Sequence, residues 1–389
     1  MVELIPIDSD MFIGSATEFT VVFNRFGIPR KVFLWVGDRA IDIASLLDRN
    51  YTLIFDNYRV SLWQWFEQGI PTPYRFFRDI DSYIDTIISW GLEKIRSEKV
   101  LVSFSGGKDS TVSLIASLKL VDRLGIDVKP IYIHMPYLEP LENVSIAIDI
   151  AKKLGIELEV REPKKRIVRE YLYREGLPFR GNRWCTYLKT RPMRDFCKSM
   201  GIRYNVVGDR IWETVKRFRR LALKVLNRRL VKKRDIYLVA PLTIIDIASI
   251  IRPFSTVHRH YLLGASRVAC IFCPYKSAYE LRLDLGRVED PGLIDSILRI
   301  EWRKWYRDHI DLESFVSEHL WRYKPRVAEI FLKLKNYIEK KAIELGLEEI
   351  KVNTIANMYR KIWTSDLSTY PIEDIDKVIR SLLKIYVEI

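Results

Sequence analysis

Glutamine is nearly missing from this chain: only Gln64 and Gln68 occur among 389 residues, and there are just four cysteines. So few cysteines in a chain of this length exclude a secreted disulfide scaffold, and their placement matters more than their number. Scarce glutamine beside abundant Lys, Arg, Glu and Ile leans toward a thermophilic source. No uninterrupted apolar run approaches the roughly 18 residues a membrane helix needs, since even Ile236 to Ile251 is broken by Pro241, Thr243 and Asp246. No membrane partner is expected. The opening MVELIPIDSD is acidic and lacks the basic-then-apolar plan of a signal peptide, so a cytoplasmic enzyme is the expectation. The pattern G-x-x-x-x-G-K-[ST] is absent as well, which excludes a Walker-type phosphate loop.

What is abundant is positive charge. A net charge of +14 points to a polyanionic partner or a strongly anionic substrate. The length allows two or three domains, which we place at 1–70, a small β-rich unit; 71–285, a nucleotide-binding domain; and 286–389, a helical region. In the first, Phe19 to Phe23, Lys31 to Val36 and Tyr51 to Phe55 are short β-branched or aromatic runs, with Gly37-Asp38 placed for a hairpin. This unit carries no recognisable chemistry.

The central region alternates. A helical stripe from Phe76 to Ile88 leads into expected strands at Val100 to Phe104, Val128 to His134, Glu157 to Val160, Tyr204 to Val207 and Tyr237 to Ala240, with helical patterns between them. Such alternation predicts an α/β fold with a mostly parallel, doubly wound sheet. At the first strand's end stand Ser105, Gly106, Gly107, Lys108, Asp109 and Ser110, small or polar residues between strand and helix. A backbone of that kind can wrap an anion with its N–H groups, the positive end of a helix dipole behind them. Ligands in parallel sheets bind at the strands' carboxyl ends, so His134 is expected near this loop, either as a nucleotide contact or as a structural histidine.

Two further stretches carry cysteine. In RWCTYLKTRPM, Arg183, Lys189 and Arg191 crowd positive charge around Cys185, which could lower its pKa or hold a phosphate. Later Cys270 and Cys273 form a C-x-x-C pair followed by Pro274, a pattern more typical of a metal half-site than of a redox disulfide here. Between them YNVVGDRIWETVKR supplies Gly208 and Arg210 after a strand.

Ser-Gly-Gly-Lys-Asp-Ser resembles the signature of the PP-loop superfamily, and with WCTYLKTRP, VVGDRIWETVKR and SRVACIFCP the chain is similar over about residues 97–285 to that superfamily's PAPS reductase and ATP sulfurylase branch. The resemblance implies an adenine nucleotide alpha-hydrolase-like sheet. It implies ATP with Mg²⁺ at Ser105, Gly106, Gly107, Lys108, Asp109, Ser110, His134, Gly208 and Arg210, with Lys108, Asp109, Cys185 and Arg210 catalytic. Iron–sulfur members have two adjacent cysteines before the Lys and Pro; here Trp184 replaces the first. Cys185, Cys270 and Cys273 would then hold a [4Fe–4S] cluster with one iron open to a sulfur donor's atom, as in the tRNA thiolation members. The alternative adds Cys197 to make a Zn²⁺ site, and a third reading leaves Cys197 as a buried helical residue. Reductases of this branch use a cysteine in a C-terminal tail, and no cysteine follows Cys273.

Between Arg217 and Arg234 nine of eighteen residues are basic and none is acidic: Arg217, Arg219, Arg220, Lys224, Arg228, Arg229, Lys232, Lys233 and Arg234. Set against Phe218, Leu221, Val225 and Leu226, they form a basic amphipathic helix running into a loop, suited to tRNA or another nucleic acid and equally to a solvated face. Two aromatic and basic clusters, from Trp302 to Arg307 and from Trp321 to Arg326, fit base stacking or core packing. The functional expectation is adenylation-dependent thiolation of tRNA. Its alternatives are PAPS or APS reduction and a non-catalytic nucleotide- or RNA-binding module.

Overall fold

The computed structural model describes residues 3–62, 69–284 and 286–386. Near the start, five strands, β1 (Ile5–Pro6), β2 (Met11–Ala16), β3 (Phe19–Asn24), β4 (Pro29–Val36) and β5 (Arg39–Asp42), form an antiparallel meander. Continuous apolar runs bury this sheet on both faces, with Phe12 and Phe23 in one core cluster and Phe33 and Trp35 in the other. Gly37, with φ +54°, makes the expected two-residue turn between β4 and β5. A separate hairpin, β6 (Thr52–Phe55) with β7 (Tyr58–Ser61), follows.

The central sheet contains β8 (Lys99–Ser103), β9 (Asp127–Ile133), β10 (Glu159–Arg161), β11 (Tyr204–Val206), β12 (Val231–Lys232) and β13 (Asp235–Ile236), in the order β10-β9-β8-β11-β13-β12. All neighbours run parallel except β12 against β13. This is the doubly wound sheet expected from the alternation, and its strand order reverses between β8 and β11. At such a switch point the loops leaving two adjacent strands turn to opposite faces and open a crevice.

The fifth strand differs from expectation. Residues 237–240 do not pair; the strand is β13, one step earlier. Carbonyls beyond it are taken by side chains instead of a ladder, Leu238 by the Tyr83 hydroxyl and Pro241 by Trp212 Nε1 at 2.7 Å. The basic segment is likewise not a helix running into a loop: after the helix Val215–Leu226 the chain folds into the β12–β13 hairpin. The C-terminal region is helical except for β14 (Glu349–Lys351), which adds to the N-terminal sheet beside β5.

Candidate functional site

The loop after β8 and the start of the helix Lys108–Leu124 form one side of the crevice, and Gly208 after β11 forms the other. Gly106 takes φ +69°, a left-handed turn that suits a residue without Cβ. Ser105, Gly107, Lys108, Asp109, Ser110 and Gly208 line a cleft of about 340 Å³. Two main-chain donors expected to face the hollow are already engaged: Gly107 N donates to Ser105 Oγ at 3.4 Å and Lys108 N to the Tyr261 hydroxyl at 3.0 Å.

Charge in this cleft is balanced internally. Lys108 Nζ lies 2.9 Å from Glu3 and 3.1 Å from Asp109, and Arg210, fully buried behind the loop, pairs with the same two carboxylates. Burial alone would raise the Asp109 carboxyl, but Arg210 and Lys108 outweigh it and hold its pKa at about 2. The same contest lowers Glu3 and raises Lys108. The N-terminal unit thus contributes walls to the cleft that its sequence does not disclose, because Glu3, Ile5 and Ser15 all line it. Tyr261 was equally illegible: it lies between motifs, and only tertiary packing brings it to Lys108. Arg217, expected on a nucleic-acid face, also lines the cleft and pairs with Asp209 and Glu213.

Next to this cleft is a second cavity of about 180 Å³, lined by Cys185, Cys270 and Cys273 together with Glu139, Lys189 and Arg183. Ser105 and Val268 belong to the walls of both. Lys189 donates to Glu139 at 3.1 Å, yet the expected lowering of Cys185 does not occur. Burial outweighs the cations: it raises the Cys185 thiol and pushes Cys270 up to about 12. The donors fit an iron–sulfur group in kind, three sulfurs facing one cavity. Among the described residues no three His, Cys, Asp or Glu side chains gather closely enough to hold a metal ion. Cys197 lies elsewhere, against Leu101, Ile131 and Phe196, which corrects the four-cysteine zinc alternative and agrees with a half-buried helical residue.

Residues 99–252 match the family model of the phosphoadenosine phosphosulfate reductase domain. Over these residues the chain is similar to that family. Two uncharacterized proteins of Methanocaldococcus jannaschii are similar, one 28% identical over 64% of this chain and 58% of its own length, the other 30% identical over 60% and 47%. The chain therefore spans about half the length of the curated relatives it matches. Among solved structures, the U34-tRNA thiolase NcsA from Methanococcus maripaludis with its [4Fe-4S] cluster is 13% identical, covering 60% of this chain and 81% of its own, at TM-score 0.35. A glutamine-dependent NAD⁺ synthetase from Acinetobacter baumannii in complex with ADP is 12% identical, covering 92% and 61%, at TM-score 0.26.

His134 does not line the cleft. Its Nδ1 meets Glu162 at 3.1 Å and its Nε2 meets the Glu139 carbonyl at 3.0 Å, because β9 lies on the far side of β8 from the switch point. Of the basic segment, Arg220 pairs with Asp209, Arg228 pairs with Asp376 and stacks over Trp90, Lys224 covers Tyr237, and Arg219 donates to the Tyr386 carbonyl. Arg229, Lys232, Lys233 and Arg234 are exposed with no ion pair among the described residues. The second aromatic cluster is core: Trp321 is buried, and Arg322 and Tyr323 both bond Glu18. From the first cluster, Trp305 stays 41% exposed with Lys304 over its ring.

No helix among the described residues is long and apolar enough to cross a membrane.

Proposed function

We propose that this protein is an ATP-dependent sulfur-inserting enzyme acting on tRNA or a related RNA. The observation that carries the reading is the shared wall: Ser105 and Val268 border both the anion-loop cleft and the cavity of the three thiols. A substrate activated in the first need move only a short way to meet sulfur in the second. The residues Ser105–Ser110 would hold the pyrophosphate of ATP, with Mg²⁺ offsetting its charge. An oxygen of the target base attacks the α-phosphorus, the bond to pyrophosphate breaks, and the base becomes adenylated. Sulfur then adds at the activated carbon and AMP departs with the oxygen. Lys108 stabilises charge developing on the phosphates, while Arg210, buried and paired with Asp109, orients that carboxylate and is a positioning residue.

Cys185, Cys270 and Cys273 would hold a [4Fe–4S] cluster, which when bound offers an open iron for the donor's sulfur. Arg229, Lys232, Lys233 and Arg234, unpaired and exposed, supply cations for an RNA backbone. Pyrophosphate release from ATP with tRNA, measured on anaerobically reconstituted protein, tests the reading; no release overturns it. The matched family favours one rival, a sulfonucleotide reductase, which predicts sulfite from PAPS or APS with thioredoxin.

A further inference from the structure

The helix Pro291–Glu301 buries Ile294, Ile297, Leu298 and Glu301 along one stripe. At α-helical spacing the next inward position would be Lys304 or Trp305. The chain instead makes a π-helical turn over Trp302–Tyr306, closed by the Arg307 N–H donating to the Trp302 carbonyl at 3.0 Å. The extra residue in that turn carries Tyr306 into the core, where its hydroxyl donates to the Tyr323 carbonyl at 2.5 Å, and leaves Arg303, Lys304 and Trp305 exposed. Turns of this kind are rare and concentrate at functional sites. This one gives to solvent an indole that a regular helix would have turned inward.

Trp305 shares a shallow groove with Tyr173, 51% exposed on the helix Lys165–Glu175, and with Ile300, Arg174 and Lys304. Lys304 Nζ lies 4.3 Å from the Trp305 ring centroid. Arg174 pairs with Glu175 and Arg307 with Asp308, whereas Arg303 and Lys304 have no ion pair among the described residues. The groove adjoins the thiol cavity. Gly176 borders the first and Pro178 the second, a span of about 7 Å at most along the chain. Trp184, which precedes Cys185, stacks on Tyr171 of the same helix with ring centroids 5.4 Å apart.

We propose that this face grips single-stranded RNA: an unpaired base stacks on Trp305 beside Tyr173, while Lys304 leaves the ring for an adjoining phosphate and Arg303 takes the next. The inference rests on the reading of RNA as the substrate and says where its unpaired segment is held. Exposed rings interleaved with unpaired cations suit a ligand that alternates flat bases with anions. The β12–β13 hairpin, offered above to the RNA backbone, lies at the opposite edge of the central sheet from β10, the strand that leads into Lys165–Glu175, so the two sets of contacts can be tested separately.

Calorimetry on the full chain with a short unstructured RNA and with inorganic polyphosphate, which has the charge but no bases, tests this. Trp305→Ala should weaken RNA binding by roughly five-fold to a hundred-fold, the range for losing one base–aromatic stack, and leave polyphosphate binding unchanged. Trp305→Phe keeps a smaller ring and should recover part of the loss. Lys304→Ala should weaken both ligands and lower the slope of log RNA affinity against log salt by about 0.7. If Trp305→Ala binds RNA as tightly as the parent, the face belongs to a protein partner and the inference is overturned. If it loses polyphosphate as much as RNA, the ring reads no base and the inference is equally overturned. Should Trp305→Ala misfold, Trp305→Phe decides by the same two comparisons. Either failure leaves RNA as the substrate, because the parent still binds it; a parent that binds no RNA overturns that reading and this inference together.

Discussion

The two adjoining cavities solve opposite electrostatic problems with similar burial. In the anion-loop cleft Glu3 and Asp109 are half-buried yet ionised, because Lys108 and Arg210 stand against them. Around the thiol cavity burial prevails: Cys185 and Cys270 are held as thiols although Lys189 and Arg183 are near. Glu301, which accepts the N–H of Leu177 beside the cavity-lining Pro178, is pushed up to about 8. In the first cavity two cations face two carboxylates and together outweigh desolvation, whereas in the second the single Lys189, already paired with Glu139, does not offset the burial of Cys270. One compartment keeps its acids ionised; the other keeps its thiols protonated beside an ion pair.

The largest expected effect breaks the charged side. Lys108→Ala should lower pyrophosphate release by about 10²–10³-fold, the scale seen when one preorganised charge-stabilising donor is removed. Steady-state turnover with RNA binding measured in parallel checks it, because a module that merely holds nucleotide would show no turnover to lose.

Glu301→Gln sharpens the neutral side. The unfolded carboxyl ionises near 4.5 and the folded one near 8, so in that window the unfolded state binds fewer protons and stability declines as pH rises. An amide has no such proton to lose. The variant should gain roughly 2–4 kcal/mol over the parent at the upper end of the window and nothing below it. Chemical denaturation across the window decides; a parallel offset at every pH would show that Glu301 is not held neutral.

Glu3→Gln tests the balance itself. Removing one of two carboxylates leaves Lys108 and Arg210 with one formal positive charge in excess, and an incoming anion no longer competes with Glu3. Pyrophosphate should bind roughly ten-fold more tightly, worth about 1.4 kcal/mol. Weaker binding would mean that Glu3 helps seat the ligand.

The same contrast explains how much could be read from sequence. The loop at Ser105–Ser110 was legible because a strand, a glycine pair and a helix start are contiguous, whereas the grouping of Cys185 with Cys270 and Cys273 around one cavity was implied only by the resemblance to the iron–sulfur members. Glu3 and Tyr261 were not legible, since each reaches the loop from a distant segment with no local pattern to mark it. Strand order decided His134 as well: the alternation of strands and helices predicts parallel pairing, but not which side of β8 opens into the crevice. The Cys185 thiol was misjudged because charge can be counted along a chain while burial cannot.

The smallest effect concerns the surface. Lys232, Lys233 and Arg234 sit at the β12–β13 hairpin, on the margin of the central sheet and free of ion pairs among the described residues, whereas Arg217, Arg220 and Arg228 of the same basic run are paired with carboxylates. Only unpaired cations release counterions from RNA at little cost, so the hairpin should account for more of the salt dependence than the helix. Replacing all three by alanine should weaken tRNA binding several-fold at low salt and reduce the slope of log affinity against log salt by roughly 2–3. Arg220→Ala should leave that slope almost unchanged. If instead the helix variant flattens the slope and the hairpin variant does not, RNA lies along Val215–Leu226 and must break the Asp209 pairs to do so.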